Sequence, residues 1–385
     1  MRIAKAFKAC EFELSITKSL FTASTDVLGA RMQKFWAGAG VAINYVKKAK
    51  SLGVGLGAGV RRNVDVAKIR LRHMKKRIPR FQRLRKLGVS TSRLLRTGAK
   101  AAMTYEQAIM GVSNSLLRDQ RRTAAVISAP ASGNGGQNLD LALILADENA
   151  RSGADPAFDA HTMPIGDWAT AVWETWMPLR TMERLASSTK KKLRKAKNTW
   201  AKVKGPAAAM VASCYRLGWT VVSGTELLTD QGETLDLLLD SPAAVKLEVA
   251  RAVKRWRLRN LETLMPQLKK GGSGVGALME PIAKLLKSKD NNEAWNPALR
   301  GSLKSALAGR QYPQARAYAA GWTSHNKCIF CLHNLVELGA RTGRRTRPTA
   351  TETPPNVRTR HEATTSIDTG GSGERSFAPA DDGSV

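Results

Sequence analysis

From Asn63 onward the apolar positions Val64, Ala67, Leu71, Met74, Ile78 and Phe81 recur every three or four residues, which is one face of an α-helix. The remaining faces carry Lys68, Arg70, Arg72, Lys75, Lys76, Arg77, Arg80 and Arg83. Pro79 is expected to kink or break this helix, because its ring crowds the carbonyl four residues back. Upstream, residues 12–23 alternate loosely, as a strand does. Residues 24–37 set Val27, Leu28, Met32, Phe35 and Trp36 at helical spacing behind a Ser24 or Thr25 cap. Residues 41–56 read as a hairpin or strand pair interrupted by Lys47, Lys48 and Lys50. Two more helices are predicted, from Ser90 towards Ile109 and from Ser113 to about Ile127, which completes a small bundle.

The next segment, Pro130 to Gln137, is rich in glycine and small polar residues and reads as a linker. Beyond it Trp168, Val172 and Trp176 fall four apart, the spacing of a buried helix face. Trp168, Trp173 and Trp176 fit core packing better than stacking on bases. Lys190 to Lys195 continue into a cationic helix, and Pro206 to Leu217 form a short helix ended by Gly218. Pro242 suits a helix start. Val245, Val249, Ala252 and Trp256 line one side of that helix, with Arg251, Lys254, Arg255, Arg257 and Arg259 around the rest. Gly271 to Gly276 is a break, a last helical pattern covers residues 296–320, and residues 340–385 read as disordered. The expected fold is mainly α, with a small β element near the N-terminus, a helical bundle, a second helical region and a disordered tail. The expected division is 1–60, 61–129, a linker at 130–138, 139–339 and 340–385.

Charge narrows the function. The net charge is +31, and residues 1–130 hold 27 Lys and Arg against 6 Asp and Glu. A block of that kind attracts polyanions, nucleic acid ahead of acidic membrane surface. The cationic segments also carry apolar faces with the spacing of packed helices, and no segment has a membrane-spanning length. Four cysteines in 385 residues argue against a disulfide scaffold. They point to a reducing compartment, nuclear or cytoplasmic, and the N-terminus shows no secretory signal. Cys10 and Cys214 have no catalytic partners in sequence. The glycines from Gly53 to Gly59 loosely mimic a dinucleotide loop, but a cationic helix follows rather than a βαβ unit.

Three motifs in order carry a family resemblance. Phe12 to Ser19 is a short strand pattern ending in Thr17-Lys18, Lys50-Ser51-Leu52-Gly53-Val54 is a turn between apolar residues, and cationic helices follow to Arg122. Together, residues 10–125 resemble the region that follows the catalytic aspartates in reverse transcriptases of non-LTR (LINE-type) retrotransposons. The resemblance implies that Lys18 lies near an incoming triphosphate, where charge builds on the leaving group. It implies that Lys50, Leu52 and Gly53 form a primer-grip turn, with Ser51 in place of the usual aromatic. It also implies that Arg61, Arg62, Lys68, Arg70, Arg72, Lys75, Lys76, Arg77, Arg80 and Arg83 hold template–primer through its phosphates, as a thumb does. The metal-binding aspartates are expected upstream of Met1, and magnesium would enter only with them. Ala380-Asp381-Asp382 has no strand before it.

Cys328-Ile329-Phe330-Cys331 has zinc-knuckle spacing. No later cysteine completes it, so a zinc site would need His325 and His333. A buried or free thiol pair is the other reading. The expectation is thus a non-catalytic fragment that binds RNA, DNA or RNA–DNA hybrid. The alternatives are a freestanding basic RNA/DNA-binding interaction protein without polymerase ancestry, and a binder of acidic membrane. Residues 140–320 point to no reaction.

Overall fold

The computed structural model describes residues 19–59, 62–87, 91–128, 139–149, 153–264 and 280–287, with isolated positions elsewhere. The fold is mostly helical, with small sheets. Strand β1 (Leu20–Phe21) pairs in parallel with β2 (Asn44–Tyr45), and helix α1 (Asp26–Gly38) lies between them in sequence. Thr25 caps α1, its hydroxyl accepting from the Leu28 amide at 3.2 Å. Strands β3 (Lys48–Ser51) and β4 (Val54–Gly57) form an antiparallel hairpin in which Ser51 faces Val54 across the turn.

Helix α2 (Asp65–Lys86) buries Ala67, Leu71 and Met74, with Ile78 and Phe81 packed against the same core. Pro79 does not break it into two elements, as the sequence reading allowed: the helix runs through. Pro79 is exposed, so the carbonyl it cannot serve lies on the solvent side. The predicted second helix is subdivided. α3 (Thr91–Leu94) passes through a π-turn (Leu95–Ala99) into α4 (Lys100–Thr104), and α5 (Gln107–Met110) follows. Helix α6 (Asn114–Ser128) is capped by Ser113, whose Oγ accepts from the Leu116 amide at 3.4 Å.

The first core gathers Leu71 and Met74 of α2, Leu95, Met103, and Leu117, Ala124 and Ile127 of α6. It continues through Ala142, Leu143 and Ala146 of α7 (Leu139–Asn149). Residues on either side of the 130–138 segment therefore share one core. The second core surrounds α8 (Pro156–Trp173), which packs against α10 (Pro206–Leu217) and α11 (Pro242–Leu264). Helix α9 (Leu179–Arg194) covers α10, and α12 (Glu280–Lys287) lies farther along the chain.

A three-stranded antiparallel sheet, β5 (Thr220–Val221), β6 (Glu226–Leu228) and β7 (Thr234–Asp236), was not anticipated. Its strands are two or three residues long, too short for alternation to register. Trp168 fixes it to α8 by donating Nε1–H to the Gly224 carbonyl at 2.9 Å. Trp219 and Arg255 converge on Asp230 just beyond, at 3.1 and 2.7 Å. Burial acts to raise the Asp230 carboxyl, but hydrogen bonds from Arg255, Arg259 and Trp219 outweigh it and hold the pKa at about 2.

The tryptophan reading needs correction. Trp168 is buried, but Trp173 is 45% and Trp176 62% exposed. Helix α8 ends at Trp173 and the chain turns through Thr175 at φ 51°, so the spacing of four no longer describes a face. By contrast α10 ends where its sequence predicts. Gly218 adopts φ 85° and its amide caps the last turn. A Cβ there meets only Asp230 at 3.8 Å, so Gly218→Ala tests backbone conformation with little steric change. We expect a loss of about 1 kcal/mol in urea denaturation.

Candidate nucleic-acid interface

The apolar face of α2 is turned into the first core, which forces its cations outward. Lys68, Arg72, Lys76, Arg80 and Arg83 are exposed and follow one another at intervals of four, four, four and three. They make a stripe about 22 Å long at 1.5 Å per residue. Lys75 and Arg77 flank it. Among the described residues Arg72, Lys76, Arg77, Arg80 and Arg83 form no ion pair, whereas Lys75 approaches Asp119 at 4.0 Å.

Two of the ten expected phosphate ligands do a different job. Arg70 is half-buried, stacks on Tyr105 at 4.8 Å and donates Nη2–H to the Gly53 carbonyl at 2.6 Å. Arg62 donates to the Met110 carbonyl at 2.9 Å, and burial depresses its pKa. Both guanidiniums are therefore structural anchors, a correction to the sequence reading. Glu106 lies buried beside them, raised by its burial against the pull of Arg70.

The grip-like turn is a two-residue connection in which Leu52 has φ 45° and Gly53 φ 81°, the sign pattern of a type I′ hairpin turn. Gly53 is required twice, by its positive φ and because a Cβ would come within 2.6 Å of Arg70 Nη2. Leu52 is 90% exposed at the tip, and Lys50 projects to solvent from β3. The hairpin is tied to the start of α2 by Lys48–Asp65 at 2.6 Å and by Asn63 Nδ2 donating to the Leu56 carbonyl at 3.1 Å. The structure thus brings the turn of Lys50, Leu52 and Gly53 beside the cationic helix.

Lys18, Arg61, Cys328, Cys331 and His333 lie outside the described residues, as do the segments 130–138 and 340–385. His325 is described, its carbonyl accepting from Thr323 Oγ1 at 3.1 Å. Among the described residues no group of three or more His, Cys, Asp or Glu is placed to hold a metal ion. None of their helices is long and apolar enough to cross a membrane.

Between α2, the start of α6 and a 3₁₀ turn at Thr199–Ala201 lies a cleft of about 610 Å³. Arg62, Lys68, Arg72 and Lys75 line it from α2 and the residues before it, Ser113 and Ser115 from the start of α6, and Trp200 from the 3₁₀ turn. Trp200 and Ser115 did not stand out in sequence and Ser113 marked only a helix start, because tertiary packing alone brings them to α2. Behind Trp200, Arg216 stacks on the indole at 4.0 Å and donates to the Val112 carbonyl and to Asn114 Oδ1. Comparison with protein-family models, with curated proteins and with solved structures gives no match to this chain.

Proposed function

We propose that this protein binds nucleic acid through the phosphates, with α2 as the contact helix. The observation that carries the reading is the row of exposed cations on one face of α2, several of them without a carboxylate partner among the described residues. Cations spaced along about 22 Å match several successive backbone phosphates, and each one neutralised releases counterions. The adjoining hairpin, with Lys50 beside an exposed Leu52, extends that surface. Their order supports descent from the post-catalytic part of a non-LTR retrotransposon reverse transcriptase. The proposed activity is binding of RNA or RNA–DNA hybrid without synthesis, since no aromatic-x-Asp-Asp stretch occurs in the sequence.

The test is anisotropy titration of a 20-base-pair RNA–DNA hybrid across a salt series. Five phosphate contacts give a slope of log K against log salt near −4.5, a loss of about 500-fold between 50 and 200 mM. In the variant Lys76→Ala/Arg77→Ala/Arg80→Ala/Arg83→Ala the slope is expected to flatten by roughly 3 to 4. All four side chains are exposed, so the fold should persist. Affinity indifferent to salt, or a slope unchanged in the variant, rules the reading out.

A further inference from the structure

The cleft beside α2 has features that a helix tracking a duplex backbone does not need. Its lining combines cations, an indole and the N-terminus of a helix. Ser113 and Ser115 line it at the first turn of α6, where backbone N–H groups and the helix dipole favour an anion. Ser113 and Ser115 place their hydroxyls 3.3 Å apart at the same point. Arg62 and Arg216 clamp the carbonyls of residues 110–112 immediately before that turn, which gathers two guanidiniums there. Arg216 keeps Nη1 buried with no hydrogen-bond partner among the described residues. Burial, then the nearby Arg62, depress the Arg216 pKa to about 9. Asp119 is the carboxylate lining the cleft, and it is turned towards Lys75 at 4.0 Å.

A positive, hydrogen-bond-donating end and an aromatic wall within about 610 Å³ suit a phosphate joined to a planar base. We propose that this cleft takes one unpaired nucleotide of a bound strand. Its phosphate sits among Lys68, Arg72 and the first turn of α6, and its base lies against Trp200. The inference rests on the nucleic-acid reading and sharpens it: the protein prefers a duplex that ends in, or adjoins, a single-stranded segment. The stripe from Lys76 to Arg83 holds the paired part, and the cleft at the other end of α2 receives the first unpaired residue. Base stacking is sequence-tolerant, so the preference is for the junction and not for a base.

The experiment compares two probes, a blunt 12-base-pair RNA duplex and the same duplex with three unpaired nucleotides on one strand. The expected result is that the extension tightens binding about tenfold, the scale of one stacked base. Ser115→Asp should abolish that ratio by placing a carboxylate where the phosphate sits. It should leave the fold intact, since acidic residues are favoured in a helix's first turn. Trp200→Ala should also reduce the ratio, but Trp200 packs against the second core, so Ser115→Asp is the decisive variant. The Lys76/Arg77/Arg80/Arg83 variant should weaken both probes by the same factor and keep the ratio. A wild-type ratio near one with salt-dependent duplex binding overturns the cleft proposal and leaves the function standing. A tenfold ratio that survives Ser115→Asp also overturns it. Failure to bind either probe removes both.

Discussion

Arg121→Met is expected to destabilise the protein by roughly 3–5 kcal/mol, the range for breaking a buried ion pair from one side. Arg121 is buried in α6 and donates to Asp140 at 2.6 Å and to both carboxylate oxygens of Asp155 at 2.9–3.2 Å. Asp155 also caps α8 by accepting from the Ala157 amide at 2.9 Å. Arg257 of α11 reaches the same centre, bonded to Asp147 and 3.7 Å from Asp155. Burial alone would favour a neutral Asp155, but Arg121 and then Arg257 reverse that and keep its pKa below the ordinary value. Methionine would leave two buried carboxylates facing an apolar side chain of similar length. Thermal denaturation should show a fall on the order of 10 °C. A double variant with Asp155→Asn should recover part of the loss, because it removes the stranded charge while keeping an oxygen for the cap. A single-variant loss below about 1 kcal/mol would mean that solvent reaches this centre and that packing alone joins the helices.

Stability should also fall as pH drops from 6.5 towards 4. The cause is His161, fully buried in α8 with Nδ1 2.6 Å from the Ala157 carbonyl and Nε2 without a hydrogen-bond partner among the described residues. Burial, then the charge of Arg216, push its pKa down to about 3. The unfolded chain takes up a proton near 6.5 and the folded chain does not, so the unfolded state gains about 1.4 kcal/mol per pH unit in between. By pH 4 the loss is roughly 3 kcal/mol. Glu106 and Asp147, both raised by burial, act in the opposite sense, and Asp155 and Asp230 begin to lose stabilisation only below ordinary carboxylate values. Comparison with His161→Leu isolates the histidine. Urea midpoints at pH 7 and 4.5 should diverge in the wild type much more than in the variant; equal divergence would show that His161 is not responsible.

The sequence made the local elements of this fold legible wherever one residue type has one physical role. Thr25 before a run at helical spacing, Gly218 after one, and Pro206 and Pro242 at first helical positions mark ends that the structure reproduces. The α2 core face was legible in full, because Ala67, Leu71 and Met74 repeat over several turns. What escaped was set by partners far along the chain. Arg257 looks like one more surface cation on α11, yet Asp147, 110 residues away, draws it inside. Arg62 and Arg70 read as phosphate ligands but serve backbone carbonyls 48 and 17 residues distant. Composition identifies a cationic surface, and only tertiary contacts decide which cations remain free to form it.

Trp256 has a place in this arrangement that bears on how the molecule comes apart. It packs against both cores, with its ring 5.6 Å from His161 and Arg121 5.2 Å from its centroid. A helix bundle with two hydrophobic centres could melt in two steps, the weaker centre first. Here neither centre can loosen without baring the same indole and the charges beside it. The two regions are therefore expected to denature as one cooperative unit, and a lesion in either is felt by both. The cationic helix belongs to the first core and the wall of its cleft to the second, so the binding surface holds its shape only while that shared seam is closed.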